Sequence, residues 1–302
     1  MSPALLEPPA ARQGPGPIAQ PLIDALDVAV NRLVARRLPG DRRAAGVGVG
    51  TELAQLRPYV LGDDVRHIDP AASARTGQPH VRVHVPERAL TTWIVLDVSP
   101  SMAFGTATRL KADVAEGVAL VFGRLGIRRA GSVGMVTFGG AEPHTLPPRG
   151  AKPGMVAVRR TLEEGVAPDG RHDPEALAGA LRRVAKLAKQ PGLVVVISDF
   201  RDQREWERPL GSLQVRHSVL GFEIVDPREL ELPAVGVLAL IDPETGERIE
   251  IDTSRSRVRR RYAELEQERR ELVARELRRL RVEHVELSTE DDWLLALGRR
   301  LR

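Results

Sequence analysis

Residues 93–101, which read WIVLDVSPS, decide the fold of this chain. The first four are apolar without interruption, a pattern typical of a strand that is covered on both faces of a parallel sheet. In the loop that follows, Asp97, Ser99 and Ser101 occupy alternate positions. Alternate side chains of an extended segment point to the same side. We therefore expect a buried strand that delivers one carboxylate and two hydroxyls to a common point.

The rest of the chain repeats this alternation of strand and helix. A helix is predicted directly after the loop, because Leu110, Val114 and Val118 begin an apolar stripe at helical spacing. Further buried strands are predicted at 132–138, 193–197, 218–224 and 282–287, an edge strand at 144–146, and helices at 21–38, 153–164 and 174–189. Strands that alternate with helices predict an α/β fold with a doubly wound, mostly parallel sheet.

The chain is predicted to divide into three parts. Residues 1–20, rich in Pro, Ala and Gly, are expected to be a disordered tail, and residues 21–89 an N-terminal helix and β extension. Residues 90–302 are expected to form the α/β domain. A β-hairpin at about 233–252, followed by an Arg- and Glu-rich helix at 253–280, interrupts this domain before its last strand.

The composition excludes several classes of function. The 302 residues are 42% hydrophobic and contain no cysteine, which rules out disulfides, thiolate zinc sites and a cysteine nucleophile. The 45 Lys and Arg exceed the 41 Asp and Glu only slightly, so no nucleic-acid partner is expected. No apolar run approaches the roughly 20 residues that span a bilayer, and the N-terminus lacks the pattern of a signal peptide. We expect a cytoplasmic protein with no membrane partner.

A second predicted strand, 193–197, also ends in a polar pair, Ser198 and Asp199. The carboxyl ends of parallel strands meet at one edge of the sheet, where ligands bind at the point of strand-order reversal. Carboxylates and hydroxyls suit a hard cation such as Mg²⁺, or Mn²⁺ or Ca²⁺ in its place. The sequence thus predicts a metal site at Asp97, Ser99, Ser101 and Asp199. The alternative is that the serines are helix N-caps and Asp97 is an ordinary loop carboxylate.

Three more segments, 53–69, 226–229 and 242–247, carry a resemblance to a known family together with the Asp97 loop. Residues 90–298 resemble a von Willebrand factor A domain with its metal-ion-dependent adhesion site. More narrowly, the chain resembles a bacterial family of uncharacterised A-domain proteins commonly encoded beside MoxR-type AAA+ ATPases. The resemblance implies a non-enzymatic interaction module that acts with such an ATPase in the assembly or maturation of an unknown client complex. It also implies that Asp199 reaches the metal through water.

One position departs from the pattern of adhesion sites, which includes a threonine from a second loop. The corresponding stretch here, 169–173, reads DGRHD, so His172 or Asp173 stands where the threonine is expected. Neutral imidazole suits transition metals better than Mg²⁺, whereas a direct Asp173 ligand would add negative charge. A purely structural site without metal stays open as an alternative.

Other chemistry has weaker support in the sequence. The chain contains no Gly-rich phosphate loop, serine nucleophile elbow or His-Glu-x-x-His motif, so we do not expect an ATPase or a protease. Together with the resemblance to an interaction module, this leads us to predict that the chain is not an enzyme. A phosphohydrolase with Asp97 as nucleophile would need a second carboxylate where Ser99 stands, and a phosphate-binding lysine. Nucleic-acid binding through helix 253–280 is a further alternative, although interleaved glutamates predict i,i+4 ion pairs on a solvated helix. The acidic stretch 62–69 predicts a turn held by carboxylate–arginine pairs before it predicts a second site.

Overall fold

A computed structural model describes residues 12–37, 52–85, 90–128, 130–167, 173–201, 204–241, 246–290 and 292–301. The chain forms two compact units. The main unit comprises residues 1–38 and 90–302, and the small unit comprises residues 39–89.

The helices and strands follow one another in the order that the sequence predicts, with strand β1 and several short helices in addition. In chain order they are α1 (Gln20–Arg37), β1 (Glu52–Pro58), α2 (Pro70–Thr76), β2 (His80–Val85), β3 (Thr91–Asp97), α3 (Lys111–Gly126), β4 (Ser132–Phe138), β5 (Thr145–Gly150), α4 (Ala151–Glu163), α5 (Ala176–Leu187), β6 (Leu193–Ser198), α6 (Glu207–Gln214), β7 (Ser218–Val225), α7 (Pro227–Leu230), β8 (Val237–Ile241), β9 (Arg248–Asp252), α8 (Ser256–Arg279), β10 (Glu283–Ser288) and α9 (Trp293–Arg300).

Six strands of the main unit form one sheet in the order β10-β7-β6-β3-β4-β5. All neighbours are parallel except β5, which lies antiparallel to β4 at the edge. The chain runs outward from β3 to β4 and β5 and then returns to β6 on the other side of β3. This is the doubly wound strand order, and its direction reverses between β3 and β6. The predicted fold class is confirmed.

Helices cover both faces of the sheet because the central strands are apolar on both. Ile94 and Leu96 of β3 face a core packed by α1, α3, α4 and α9. Trp93 and Val95 of the same strand face a second core packed by α5, α6 and α8. The continuous apolar run of β3 therefore fills two cores at once, as expected for a strand in the middle of a parallel sheet.

The N-terminal segment corrects the predicted division of the chain. Helix α1 buries Ile23, Leu26 and Val30 in the core of the main unit, so it does not form one extension with residues 39–89. Residues 12–19 of the predicted tail are also in contact with the main unit. The Trp293 Nε1–H donates to the carbonyl oxygen of Pro15 at 3.0 Å. The disorder expected for residues 1–20 is wrong for 12–19, and residues 1–11 lie outside the described residues.

The small unit pairs β1 with β2 in antiparallel register. The Nη1 and Nη2 atoms of Arg57 donate to the Asp63 carboxylate, at 2.7 and 2.6 Å. The Asp69 carboxylate caps α2 through the Ala72 N–H at 2.8 Å and accepts from Arg82 Nε at 2.7 Å. These contacts agree with the expected turn held by carboxylate–arginine pairs. Two of the arginines come from β1 and β2, and Arg66 within the stretch pairs with Asp64 at 3.7 Å.

Strands β8 and β9 form the predicted hairpin, whose residues 242–245 lie outside the described part of the chain. In α8 the glutamates pair with arginines mainly at i,i+3. Arg269 lies 2.8 Å from Glu266 and Arg279 lies 2.5 Å from Glu276. The predicted i,i+4 spacing was therefore wrong, while the predicted charge compensation is present. Within the described residues, no helix has the length and apolar character needed to cross a membrane.

Candidate functional site

The candidate site lies at the carboxyl ends of β3 and β6, where the strand order reverses. Asp97 is the last residue of β3, and Asp199 directly follows β6. The two strands are paired in parallel register, with Leu96 opposite Ile197. This pairing brings the two carboxylates to the same edge of the sheet, at the position where doubly wound folds bind their ligands.

Asp97 organises the loop that follows it. Its Oδ1 accepts the backbone N–H of Ser99 at 2.9 Å, and its Oδ2 accepts the hydroxyl of Ser198 at 2.7 Å. The Ser198 oxygen in turn accepts the N–H of Phe200 at 3.0 Å. Asp97 is only 4% exposed. The carboxylate thus fixes the first turn after β3 and ties it to the loop after β6.

The two serines form a hydrogen-bonded chain that ends on Asp199. Ser101 Oγ donates to Asp199 Oδ2 at 2.9 Å, and the Ser99 and Ser101 oxygens are 3.0 Å apart. A hydroxyl has one hydrogen, which Ser101 gives to Asp199, so Ser99 is the donor to Ser101. Ser99 stands at the N-cap of a 3₁₀ turn but makes no side-chain cap hydrogen bond. Ser99 therefore occupies an N-cap position, as the alternative expects, but its side chain does not cap the turn.

A lysine that the sequence reasoning missed completes this cluster. Lys111 is the first residue of α3 and is completely buried. Its Nζ donates to Asp199 Oδ2 at 2.8 Å and to Glu229 Oε1 of α7 at 2.7 Å. Burial disfavours the ammonium, but Asp199 and Glu229 outweigh burial and raise the pKa of Lys111. The site therefore holds a permanent positive charge of its own.

The sequence does contain a signal for Lys111. Position 111 lies three residues before Val114 and seven before Val118, so it falls on the apolar stripe that predicts α3. A charged residue on the buried face of a helix needs a partner of opposite charge. That requirement points to the nearby acidic residues, although spacing alone cannot say which of them is reached.

Arginines extend the cluster toward α8. Arg201 Nε lies 3.5 Å from Glu229 Oε1, and its Nη2 lies 3.1 Å from Glu266 Oε1. Arg269 also binds Glu266, at 2.8 Å. Burial opposes ionisation of Asp199, but the charges of Lys111 and Arg201 outweigh it and hold the pKa of Asp199 far below its usual value. Asp199 is thus ionised at neutral pH.

A further buried carboxylate, Asp226, joins three loops at this edge of the sheet. It follows β7 and accepts the backbone N–H and the hydroxyl of Thr106, at 2.8 and 2.6 Å. It also accepts the Thr289 hydroxyl at 2.6 Å and the Arg228 N–H at 2.9 Å. Burial opposes its ionisation, yet these hydrogen bonds lower its pKa. With all these acceptor positions used, Asp226 serves to hold the loops that frame the site.

The two remaining predicted metal ligands have different outcomes. His172 lies outside the described residues. Asp173 is exposed before α5, where its Oδ1 accepts the backbone N–H of Glu175 at 2.9 Å. Across the part of the chain that the structure describes, no three His, Cys, Asp or Glu residues gather into a group that could hold a metal. Asp173 therefore does not join Asp97 and Asp199 in such a group.

The donor atoms of the cluster are of the kind that a divalent cation requires. Two hydroxyls and two carboxylates are hard oxygen ligands, which Mg²⁺ and Mn²⁺ accept. The unexpected feature is Lys111, which already neutralises one of these carboxylates. The residues thus fit a divalent cation by donor type, with less free negative charge than the sequence alone suggests.

The order of the strands defines a doubly wound α/β domain, and a buried polar cluster lies at the point where the strand order reverses. The chain belongs to the family described as "Protein of unknown function DUF58", whose profile matches residues 55–272. An uncharacterized protein of Mycobacterium tuberculosis is 34% identical over 304 residues, covering 99% of this chain and 94% of the relative.

Solved structures show more distant likenesses. The conserved hypothetical protein BatB from Bacteroides thetaiotaomicron has 15% identity and a TM-score of 0.42, covering 70% of this chain and 96% of BatB. The SpRpn10 VWA domain has 16% identity and a TM-score of 0.33, covering 45% of this chain and 75% of that domain. The fold of this chain is defined by the order and direction of its strands.

Proposed function

We propose that this chain is a non-enzymatic interaction module that docks partners at the carboxyl edge of its sheet through a divalent cation. The main support is the convergence of Asp97, Ser99, Ser101 and Asp199 at the strand-order reversal. In this proposal the two hydroxyls hold the cation directly, Asp97 balances its charge, and Asp199 acts through water. The bound cation supplies an open coordination position for a carboxylate of the partner.

The proposed partner is a MoxR-type AAA+ ATPase, with which the chain would act in the assembly or maturation of a client complex. This part rests on the family resemblance carried by segments 53–69 and 226–229. It includes a cytoplasmic location, where ATP is available to such a partner.

A pull-down with the purified MoxR-type ATPase of the same organism tests the proposal. Asp97→Ala should reduce retention of the ATPase about tenfold, as expected for loss of a charge-mediated contact, and EDTA should reduce it equally. Asp24→Ala, an exposed change on α1, is the matched control and should have no effect. Retention that is unchanged by both EDTA and Asp97→Ala would show that the cation has no role. No retention of the ATPase by the wild-type chain would remove the proposed partner.

A metal-dependent phosphohydrolase with Asp97 as nucleophile is the second candidate, because Lys111 is a lysine of the kind that such an enzyme needs. Two features weigh against it. The ammonium is enclosed by two carboxylates, and Ser99 still stands where a second carboxylate is needed. Hydrolysis of p-nitrophenyl phosphate with Mg²⁺, abolished by Asp97→Asn, would establish this candidate in place of the first.

A further inference from the structure

Lys111 places a positive charge beside Asp199, one of the carboxylates that the proposed cation would use. Its side chain is 0% exposed, and its Nζ is 2.8 Å from Asp199 Oδ2. The same oxygen accepts the Ser101 hydroxyl at 2.9 Å, so the ammonium and a proposed metal-binding hydroxyl share one acceptor. The lysine is therefore part of the immediate surroundings of the cation site.

We propose that Lys111 is a built-in cation that competes with a divalent metal for Asp199 and keeps the metal affinity of the free chain weak. The inference rests on the proposed function, in which a divalent cation binds at the Asp97 loop. The Lys111 ammonium distinguishes this site from one built only of carboxylates and hydroxyls. Metal occupancy is set by a competing charge as well as by the ligands themselves.

The charges of the neighbouring residues support this role. Asp97 and Asp199 contribute two negative charges, and the ammonium cancels one of them at hydrogen-bond distance. Charges a few ångströms apart interact strongly in a protein interior, and the repulsion between an ammonium and a divalent cation opposes metal binding by about tenfold or more. Ser99 and Ser101 add donor atoms but no charge, so they do not compensate for this repulsion.

Glu229 competes with Asp199 for the Lys111 ammonium. It lies on the other side of the ammonium, with its Oε1 2.7 Å from Nζ, and is itself bound by Arg201. While Glu229 is charged, the ammonium is shared between two carboxylates. A neutral residue at 229 would leave the ammonium paired with Asp199 alone and would remove one negative charge from the site. Changes at Lys111 and at Glu229 should therefore affect metal affinity in opposite directions.

Mn²⁺ binding to the full chain, measured at neutral pH from the electron paramagnetic resonance signal of free Mn²⁺, tests the inference. Lys111→Met should raise Mn²⁺ affinity by about tenfold or more, and Glu229→Gln should lower it by about threefold or more. Lys152→Met removes the same charge from an exposed position of α4 and should leave the affinity unchanged. A purely structural lysine would not produce this pair of opposite effects.

Stability must be checked because Lys111→Met leaves two carboxylates without their buried partner. Circular dichroism shows whether this variant folds. If it does not, the test uses Glu229→Gln, whose amide can still accept a hydrogen bond from the ammonium.

Unchanged or weaker Mn²⁺ binding in folded Lys111→Met, or unchanged or tighter binding in Glu229→Gln, overturns the inference. If the wild type binds Mn²⁺, Asp97→Ala abolishes binding and Lys111→Met has no effect, only the inference fails. If no variant binds Mn²⁺, both the inference and the cation of the proposed function fail.

Discussion

The Nζ atom of Lys111 lies 2.8 Å from Oδ2 of Asp199, which joins the helix after β3 to the loop after β6. Both groups are buried, so neither can exchange its partner for bulk solvent. Removing one partner of a buried pair leaves an uncompensated charge, and the cost of this exceeds the net gain from forming the pair. The geometry of the candidate site therefore depends on the charges of both residues.

Asp199→Asn should lower the free energy of unfolding at neutral pH by about 3 kcal/mol, because the ammonium loses one of its two buried carboxylate partners. The measurement is urea denaturation followed by circular dichroism. Asp24→Asn, which breaks the exposed ion pair with Arg128, is the control. Exposed pairs contribute about 1 kcal/mol or less, so the control should change little. Equal losses in both variants would contradict the account.

Lowering the pH should reduce the stability of the wild type more than it reduces the stability of Asp199→Asn. Burial opposes ionisation of Asp199, but Lys111 and Arg201 hold its folded-state pKa below its unfolded value of about 3.9. The unfolded chain then binds more protons near and below that value, so stability falls as pH falls. The contribution of Asp199 should be fully present well above pH ~4 and decline below it. Urea midpoints at a series of pH values check this, and identical acid slopes in the two proteins would contradict it.

Asp226→Asn should destabilise the chain by about 2 kcal/mol or more, because an amide NH₂ replaces one oxygen of a group that now only accepts hydrogen bonds. The backbone N–H groups of Thr106 and Arg228 cannot rotate away as hydroxyls can. Thermal unfolding provides the measurement. Thr289→Val, which removes one donor and leaves Asp226 its other donors, should cost less. The reverse order of losses would show that Asp226 is not the residue on which the three loops depend.

Gly139→Ala should disturb the Asp97 loop itself. Gly139 follows β4 with a φ of +81°, and a Cβ there would lie 2.6 Å from the Cβ of Ser99. We expect a loss of stability and of ATPase retention, since the loop must shift to make room. Gly179→Ala in α5 is the matched control, because no atom lies within 4 Å of its added Cβ. It should gain up to about 1 kcal/mol from helix propensity. A loss of ATPase retention in Gly139→Ala no greater than that in Gly179→Ala would contradict the placement of Ser99.

The parts of the fold that could be predicted are those that depend on local pattern. The run 93–96 predicts a strand buried on both faces because period and composition are properties of the segment itself. The position of Asp199 beside Asp97 also follows, since parallel strands end at one edge. Helix α1 could be predicted as a helix, but its partner could not. An apolar stripe says that a face is buried and does not say against which unit.

The role of Lys111 shows why the site was only partly predictable. Its contact with Glu229 joins residues that are far apart in sequence, through a four-residue helix, α7, that has no periodic pattern of its own. Charge pairing in a buried cluster depends on distances that spacing does not supply. Sequence motifs identified the acceptors Asp97 and Asp199, whereas the pairing of Lys111 with one of them is visible only in three dimensions.

The most direct test of the central claim is an anomalous-scattering map from crystals of the full chain grown with saturating Mn²⁺. We expect a peak about 2.1 Å from the hydroxyl oxygens of Ser99 and Ser101, which is lost in Asp97→Ala. No peak at those hydroxyls in crystals that are saturated with Mn²⁺, or a peak there that persists unchanged in Asp97→Ala, would contradict it.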